Sequence, residues 1–314
     1  MRQNATMRIG INGSSLIALG RPTSEIVEHA RKAEADGFST YWIAQLAVPD
    51  ALTVLALAGQ ATTTIELGTA VIPIWVRHPL MLAGQALTVS EVAGGRLVVG
   101  IGLAHKPSVE SSLAIPFERP AATMDDYLSV LMPALRDRKV DHTGDIYSGH
   151  ADNVGGPAGV TTPSVMLAAM GPRMLRLAAE RTDGTILWLS GPRTIDTVIR
   201  PALEHAASGA GMAAPRIVAS VPVCVTDQPD AIRGIIAQVL DGYNDLPSYR
   251  GVMDIEGVDG PAGVSIVGDE ATVRKEIARF ADAGTTDFSA LEFATNADEE
   301  ARTRALLKEL QPPT

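Results

Sequence analysis

The sequence predicts a (β/α)8 barrel, the α/β fold in which eight parallel strands alternate with helices around a closed sheet. Eight short apolar segments recur along the 314 residues, and a helical pattern follows each of them. The length lies within the usual range for this fold, and no shift in composition divides the chain. We therefore expect one domain over residues 1–314. An open, doubly wound sheet is the alternative, because strands and helices alternate there too.

The first half of the chain supplies four of the eight predicted strands, each a run of apolar residues suited to a buried parallel strand. Helices are expected between them, where apolar residues recur at helical spacing or a capping residue precedes the run. The predicted strands are Met7–Ile11, Thr40–Ala44, Ile65–Ile72 and Leu97–Gly102. The predicted helices are Ser24–Asp36, Asp50–Ala61, Pro79–Glu91 and Pro120–Arg138.

The second half repeats this alternation with two interruptions. Residues 139–163 contain five glycines and no clear period, so an excursion or a small hairpin is expected there as an insertion region. Residues 246–263 are predicted to form a long loop after strand seven and its helix. The predicted strands are Val165–Ala169, Thr185–Leu189, Arg216–Val225 and Asp287–Phe293. The predicted helices are a segment opened by Gly171-Pro172, Thr194–Ser208, Asp230–Tyr243, Glu270–Ala283 and Asp298–Leu310.

Composition and charge narrow the possible functions. The chain has 26 basic and 36 acidic residues, a formal net charge of −10, and no basic block, which argues against a nucleic-acid or membrane partner. It has one cysteine, Cys224, and neither an apolar run of membrane length nor a signal-peptide core, so a cytoplasmic location is expected. No histidine or cysteine spacing indicates a metal site, and the usual hydrolase and kinase motifs are missing.

The stretch covering residues 165–194 contains the clearest ligand-binding signal. Two predicted strands end in glycine-proline turns, Gly171-Pro172 and Gly191-Pro192, and each turn opens a helix. Two helix N-termini therefore lie side by side, and their free N–H groups favour an anion such as a phosphate. Arg173 and Arg193 add positive charge. The alternative is that glycine and proline only start the helices.

Strand four ends in Gly100-Ile101-Gly102, and His105 follows it. These glycines are similar to a dinucleotide-binding turn, but the third glycine is missing and Lys106-Pro107 argues against a helix start there. In a barrel the same glycines let a ligand ring approach the backbone. His105 stands at the carboxyl end of a strand, where barrel enzymes carry their catalytic groups, so it is a candidate for catalysis or substrate binding.

Five stretches, taken in order, carry a family resemblance. They are Gly37–Ala44, Leu67–Pro79, Gly94–Gly102, Ala168–Met174 and Thr182–Gly184. Together they resemble the luciferase-like flavin and deazaflavin oxidoreductases, and most of all the branch that uses coenzyme F420. The resemblance covers nearly the whole chain, and the ordered set is more specific than any one motif. It implies a (β/α)8 barrel with an insertion region, usually found as a homodimer.

The resemblance also implies which residues form the site. A non-prolyl cis peptide is expected between Ala70 and Val71, behind the deazaflavin ring, and His105 falls where relatives place an acid/base or substrate-contacting residue. The substrate pocket is expected to include Trp75, Tyr249 and Arg250. The residues expected to contact the cofactor, with those from Gly171 onward holding its phosphate, are Gln45, Ala70, Val71, Gly102, Ala169, Met170, Gly171, Pro172, Arg173, Ser190 and Gly191.

One departure from the family pattern bears on the chemistry. Relatives often carry Asp-His after strand two, whereas this chain has Gln45-Leu46. A glutamine can hydrogen-bond a cofactor or a substrate but cannot transfer a proton at neutral pH. We therefore expect His105 or water to supply the proton.

The resemblance predicts an oxidoreductase that transfers a hydride between coenzyme F420 and a small unsaturated or imine-like substrate. The expected direction is reduction by F420H2, with His105 donating the balancing proton. An FMN-dependent monooxygenase is the alternative. A non-catalytic barrel that binds small molecules is a third interpretation, suggested by the missing Asp-His pair.

Overall fold

Eight parallel strands close into a barrel in the computed structural model, which describes residues 7–46, 48–156 and 159–312. Each strand pairs with the next one along the chain, and the last pairs with the first. The predicted (β/α)8 barrel is therefore confirmed, and the open sheet is excluded. The strands are β1 (Arg8–Asn12), β2 (Thr40–Ile43), β3 (Glu66–Thr69), β4 (Leu97–Gly102), β5 (Ser164–Ala168), β6 (Gly184–Trp188), β7 (Arg216–Val225) and β8 (Asp287–Glu292).

A main helix follows each strand and packs on the outside of the barrel. Capping residues set several of the helix starts: the Asp50 carboxylate accepts from Thr53 N–H at 2.9 Å, and that of Asp269 accepts from Thr272 N–H at 2.8 Å. The main helices are α1 (Thr23–Ala35), α2 (Ala51–Ala61), α3 (Pro79–Val92), α4 (Pro120–Arg136), α5 (Pro172–Arg181), α6 (Arg200–Gly209), α7 (Glu270–Asp282) and α8 (Ala297–Glu309).

Shorter elements lie between these, and two of them precede α6 without a break. The helical turn Pro192–Thr194 and the π-helical turn Ile195–Ile199 run directly into α6, so helical backbone extends over residues 192–209. Pro201 has no N–H to donate to the preceding turn, which explains the irregular turn just before it. The other short elements are Ser14–Ala18, Ile72–Pro73, Ile74–Val76, Lys106–Ser112, Pro229–Val239, Asp241–Tyr243, Pro247–Glu256, Pro261–Val264 and Ile266–Gly268.

The region between α4 and β5 contains the predicted hairpin. Its strands, Val140–Thr143 and Ser148–Ala151, pair in antiparallel fashion. The Asp126 carboxylate on α4 holds the hairpin turn by accepting from the backbone N–H groups of Ile146 and Tyr147, each at 2.7 Å. The same carboxylate lies 2.6 Å from the His142 ring.

Two sequence predictions about short segments are wrong. Residues 246–263 are not a long loop: they form Pro247–Glu256, which we call the cap helix, and a helical turn at Pro261–Val264. Proline suits the first turn of both, and Gly257 ends the cap helix with a φ of 84°. Lys106-Pro107 likewise opens a helix, Lys106–Ser112, because proline at its second position needs no hydrogen-bond partner.

The barrel interior is filled by a layer of apolar side chains, with Ala70 and Val71 packed against it. Gly68 on β3 makes room for the Trp42 indole, since a Cβ at Gly68 would lie 2.2 Å from that ring. The layer consists of Trp42, Val98, Met166, Ile186 and Val218. Ala70 and Val71 follow β3 directly, so they lie on this layer at the carboxyl ends of the strands.

A second, larger core lies between the strands and the helices, and a small cluster beside β7 contains Cys224. This cysteine is fully buried, as expected for a core residue, and burial raises the pKa of its thiol to about 12. None of the helices in the described ranges has the length and apolar character needed to cross a membrane.

Gly68→Ala is expected to destabilise the fold by about 1–3 kcal/mol, because the added methyl group overlaps the Trp42 ring inside a filled barrel. Chemical denaturation measures the change in the free energy of unfolding. Gly84→Ala in α3 is the matched control: no atom lies within 4 Å of the Cβ position there. It should raise stability by about 0.5–1 kcal/mol through helix propensity. Equal stability of the two variants would contradict the packing role of Gly68.

Candidate active site

The backbone after β3 forms the centre of the carboxyl end of the barrel. The peptide between Ala70 and Val71 is cis, the geometry that the family resemblance implied. Hydrogen bonds tie this segment to the strand beside it: Ala70 N–H donates to the Ile43 carbonyl at 2.7 Å, and Gln45 N–H donates to the Val71 carbonyl at 3.3 Å. Ala70 and Val71 are half-buried above the interior layer, so they are placed to contact a ligand on their outer side.

The glycines of β4 serve the packing of the protein itself. A Cβ at Gly100 would lie 1.9 Å from the Thr69 carbonyl oxygen, and one at Gly102 would lie 2.5 Å from a methyl carbon of Val71. We expected these glycines to let a ligand ring approach the backbone. The structure instead fills their space with β3 and the segment that follows it, so Gly102 positions Val71, the residue on the ligand side.

An aromatic cluster surrounds the candidate catalytic residue. Centroid distances from the His105 ring are 5.6 Å to Tyr243 and 5.5 Å to Tyr249, both edge-on. Tyr243 and Tyr249 lie 4.7 Å apart, and Trp188 at the end of β6 lies 6.4 Å from Tyr243. We call these four residues the aromatic cluster. It brings together β4, β6 and the cap helix, which are far apart in sequence.

The surroundings of His105 fix its protonation. Burial lowers the pKa of the imidazole, because a charged ring loses solvation among apolar rings. Burial raises the pKa of Tyr243 and of Tyr249 for the same reason, so both phenols stay protonated. Within the described ranges, no side chain or backbone group hydrogen-bonds the His105 ring. Its nitrogens are therefore free to meet a substrate, and the ring is largely neutral at pH 7.

The backbone leading to His105 adopts an uncommon conformation. Ala104 has a φ of 53°, in the left-handed region that side-chain-bearing residues rarely occupy. Leu189, before Ser190, has the same φ value. Such residues cluster at functional sites, where the surrounding structure holds them in place. Both lie at the carboxyl ends of barrel strands, on the side where the aromatic cluster is found.

The first of the two predicted anion positions, at the start of α5, is open. Gly171, Pro172 and Arg173 are exposed, and no atom lies within 4 Å of a Cβ built on Gly171. No ion pair or hydrogen bond of the Arg173 guanidinium is found among the described residues. Ala169 and Met170 precede this turn, buried and half-buried, with the Met170 sulfur 3.6 Å from the Ser190 hydroxyl.

The second predicted anion position, at the start of the helical run 192–209, carries a protein carboxylate. Glu256, the last residue of the cap helix, accepts from the backbone N–H of Arg193 at 3.3 Å and of Thr194 at 2.9 Å. Ser190 is buried, and a Cβ on Gly191 would lie 2.3 Å from the Glu256 carboxyl carbon. Glu256 is not among the residues predicted from the sequence, because residues 246–263 were expected to form a loop.

The side chain of Gln45 is engaged within the protein. Its carboxamide oxygen accepts from Ala51 N–H at 2.9 Å, and its NH2 group donates to the Leu46 carbonyl at 2.7 Å. Arg77 pairs with Asp50, the capping residue of α2. Gln45 therefore joins the end of β2 to the start of α2, and its backbone N–H joins it to Val71.

The three residues predicted to line the substrate pocket occupy different surroundings. Trp75 donates its indole N–H to the Leu103 carbonyl at 2.6 Å, which places it beside the end of β4. Tyr249 is buried in the aromatic cluster, against His105. Arg250 braces the end of the cap helix: its nitrogens donate to the Asp254 carboxylate and to the backbone carbonyls of Val258 and Asp259 at 2.6–2.7 Å.

Clustered metal-ligating side chains are not found in the described ranges. These ranges contain no group of three or more histidine, cysteine or acidic side chains arranged to hold a metal ion. The carboxyl end of the barrel thus combines a half-buried backbone platform at Ala70-Val71, a largely neutral imidazole in an aromatic cluster, and one open helix N-terminus. This set suits a ligand with a flat ring at one end and an anionic group at the other.

Comparisons with known proteins find relatives that are similar in sequence and in structure. The 5,10-methylenetetrahydromethanopterin reductase of Methanolobus tindarius is 26% identical over 257 residues, which cover 79% of this chain and 75% of that protein. The structure of coenzyme F420-dependent tetrahydromethanopterin reductase from Methanopyrus kandleri superposes with a TM-score of 0.81 at 22% identity, covering 98% of this chain and 99% of that one. An F420-dependent secondary alcohol dehydrogenase, solved with an F420-acetone adduct, gives a TM-score of 0.79 at 20% identity, covering 98% of both chains.

The family itself is shown by a match that spans most of the chain. The family model described as luciferase-like monooxygenase matches residues 7–287, from β1 to the start of β8. This agrees with the resemblance that five separate sequence stretches indicated. The chain belongs to the luciferase-like monooxygenase family.

Proposed function

We propose that this protein is a coenzyme F420-dependent oxidoreductase that reduces a small unsaturated or imine-like substrate with F420H2. The proposal rests chiefly on one observation. The strands β4 and β5 pair with each other, and His105 follows the first while the open N-terminus of α5 follows the second. Relatives named as reductases and F420-dependent structural neighbours support the choice of cofactor and of reaction.

The residues present fit the cofactor at both of its ends. N–H groups of the first α5 turn and the Arg173 guanidinium suit the phosphate, because no side chain in the described ranges accepts a hydrogen bond from them and the helix end is electropositive. Ala70 and Val71 suit the ring, since they form a half-buried apolar surface with no charged side chain, and Gly102 supports that surface by leaving room for Val71. Gln45 contributes its backbone to this surface rather than its carboxamide.

The bound deazaflavin supplies the hydride, and the protein supplies orientation and a proton. Tyr243 and the cap-helix residue Tyr249 lie against His105, which limits the access of bulk water to the reacting atoms. His105, when protonated, donates a proton to the substrate atom next to the carbon that receives the hydride, so charge balances. Gln45 has no proton to give at neutral pH, and burial raises the pKa of Tyr243 and of Tyr249, which makes both phenols weaker acids than the His105 imidazolium.

We also propose that the protein is a cytoplasmic homodimer, as the family resemblance implied. Exposed apolar side chains on and beside α2 and α3 support a subunit contact there: Leu57 is 45% exposed, Val76 49% and Met81 64%. A single buried cysteine suits a reducing compartment.

Fluorescence titration tests the cofactor directly. Binding to the purified protein should quench the fluorescence of oxidised F420 in a saturable manner. FMN should bind much more weakly. Tight FMN binding without F420 binding would instead favour an FMN-dependent monooxygenase. Binding of F420 without oxidation of F420H2 by any of a broad set of unsaturated and imine substrates would favour a non-catalytic binding barrel.

Arg173→Gln should weaken F420 binding about 10- to 100-fold, because it removes one charge-assisted hydrogen bond to the phosphate. The loss should shrink as salt concentration rises. Arg176→Gln, one turn further along α5 and 3.7 Å from Glu180, is the matched control and should bind as the wild type does. Equal losses in both variants would point to the general charge of α5 instead.

The pH dependence follows from the lowered pKa of His105. The protonated ring is the donor and it becomes scarce above that pKa, so kcat should rise as the pH falls below about 6.5. NMR titration should place the His105 pKa under that value. His105→Gln should lower kcat about 10²-fold at pH 6 and flatten the profile.

His205→Gln, at an exposed position on α6, is the matched control for this experiment and should leave the pH profile unchanged. If His105→Gln keeps the wild-type rate and profile, another group or water donates the proton.

A further inference from the structure

Glu256 occupies one of two neighbouring helix N-termini from inside the protein. Its carboxylate accepts from Arg193 N–H at 3.3 Å, from Thr194 N–H at 2.9 Å and from the Thr194 hydroxyl at 3.1 Å. These donors begin the helical run 192–209, so they carry the positive end of its dipole. A carboxylate there satisfies them as a bound anion would.

The backbone around Glu256 is shaped to admit this carboxylate. Gly191 has no side chain at the point of contact, and a Cβ there would lie 2.3 Å from the Glu256 carboxyl carbon. The Thr194 hydroxyl lies 3.0 Å from the Val252 carbonyl, one turn before Glu256 on the cap helix. The contact therefore joins two helices through several bonds, and it leaves no space for a second anion on the same N–H groups.

The N-terminus of α5, one strand away, differs in each of these respects. Its first residues are exposed, the space above Gly171 is empty, and no acidic side chain accepts from its N–H groups in the described ranges. Arg173 adds a positive charge without a partner among those residues. Two turns of similar sequence, Gly-Pro-Arg in both, thus differ in a way that their local sequence does not show.

We propose that Glu256 is a specificity-determining residue that closes the anion position at Gly191–Thr194, so that the cofactor phosphate is held at Gly171–Arg173 alone. The identity of this anion as the F420 phosphate rests on the proposed function. A phosphate at the closed position would have to displace Glu256 or lie against its negative charge. Glu256 thereby determines where the anionic end of the cofactor lies relative to Val71, the residue proposed to contact the cofactor ring.

Inorganic phosphate is the probe that tests the closed position without relying on F420. Its apparent Kd follows from the rise in Tm with phosphate concentration at constant ionic strength. Glu256→Ala should bind phosphate at least about tenfold more tightly than the wild type, because two backbone donors and the helix end become free. Asp259→Ala, which removes an equal charge three residues later from an exposed side chain with no hydrogen bond or ion pair among the described residues, should stay within about twofold of the wild type.

Two results of the phosphate titration would overturn the proposal: an equal gain in phosphate affinity in both variants, or no gain in Glu256→Ala. Wild-type crystals soaked in phosphate provide a second test that needs no variant: the ion should lie at Gly171–Arg173 with Glu256 in place. An ion on the N–H groups of Arg193 and Thr194, with Glu256 displaced, would overturn it. Failure of F420 to bind would refute the proposed cofactor while leaving the phosphate results to decide the role of Glu256.

Discussion

The packing of Trp42 against Gly68 is the constraint on which the candidate site depends. The indole fills the barrel interior only because β3 has no side chain where the ring lies. With Val98, Met166 and Ile186 it forms a solid layer, and the Ala70-Val71 peptide is packed on that layer. If the interior were less tightly packed, Ala70 and Val71 could move toward it. The surface proposed to contact the cofactor ring would then no longer have a single position.

The chain between β7 and α7 completes the site from above. It supplies Tyr243 and Tyr249 to the aromatic cluster and Glu256 to the second helix N-terminus. One segment therefore sets both the polarity around His105 and the position available to an anion. The two effects are linked through the short cap helix, because Tyr249 and Glu256 lie seven positions apart on it.

Sequence reasoning succeeded where the signal is local and repeated. Eight apolar segments with helices after them gave the barrel, and glycine content indicated the hairpin region. The family resemblance, rather than any pattern of spacing, placed the cis peptide at Ala70-Val71. The failures are two short helices that have proline in the first turn, Lys106–Ser112 and Pro247–Glu256. The cap helix packs against residues far from it in sequence, such as Leu189 and Thr194, and a short window of sequence contains little of that information.

The Glu256 contact is another feature that local sequence could not predict. The two Gly-Pro-Arg turns are equivalent in sequence, and 62 residues separate Glu256 from Thr194. A signal did exist, since Tyr249, Val252 and Met253 recur at helical spacing and would have placed Glu256 at a helix end. The open or closed state of each N-terminus nevertheless depends on tertiary packing, which only the structure describes.

Cys224 has a practical consequence. The chain contains no other cysteine, and this one is fully buried with a thiol whose pKa is raised to about 12. A thiol in that state reacts slowly with maleimides, since the thiolate is the reacting form. A cysteine introduced on an exposed part of the cap helix would thus be the single reactive thiol in an otherwise native sequence. A fluorophore or spin label attached there would report on the cap helix without any background substitution.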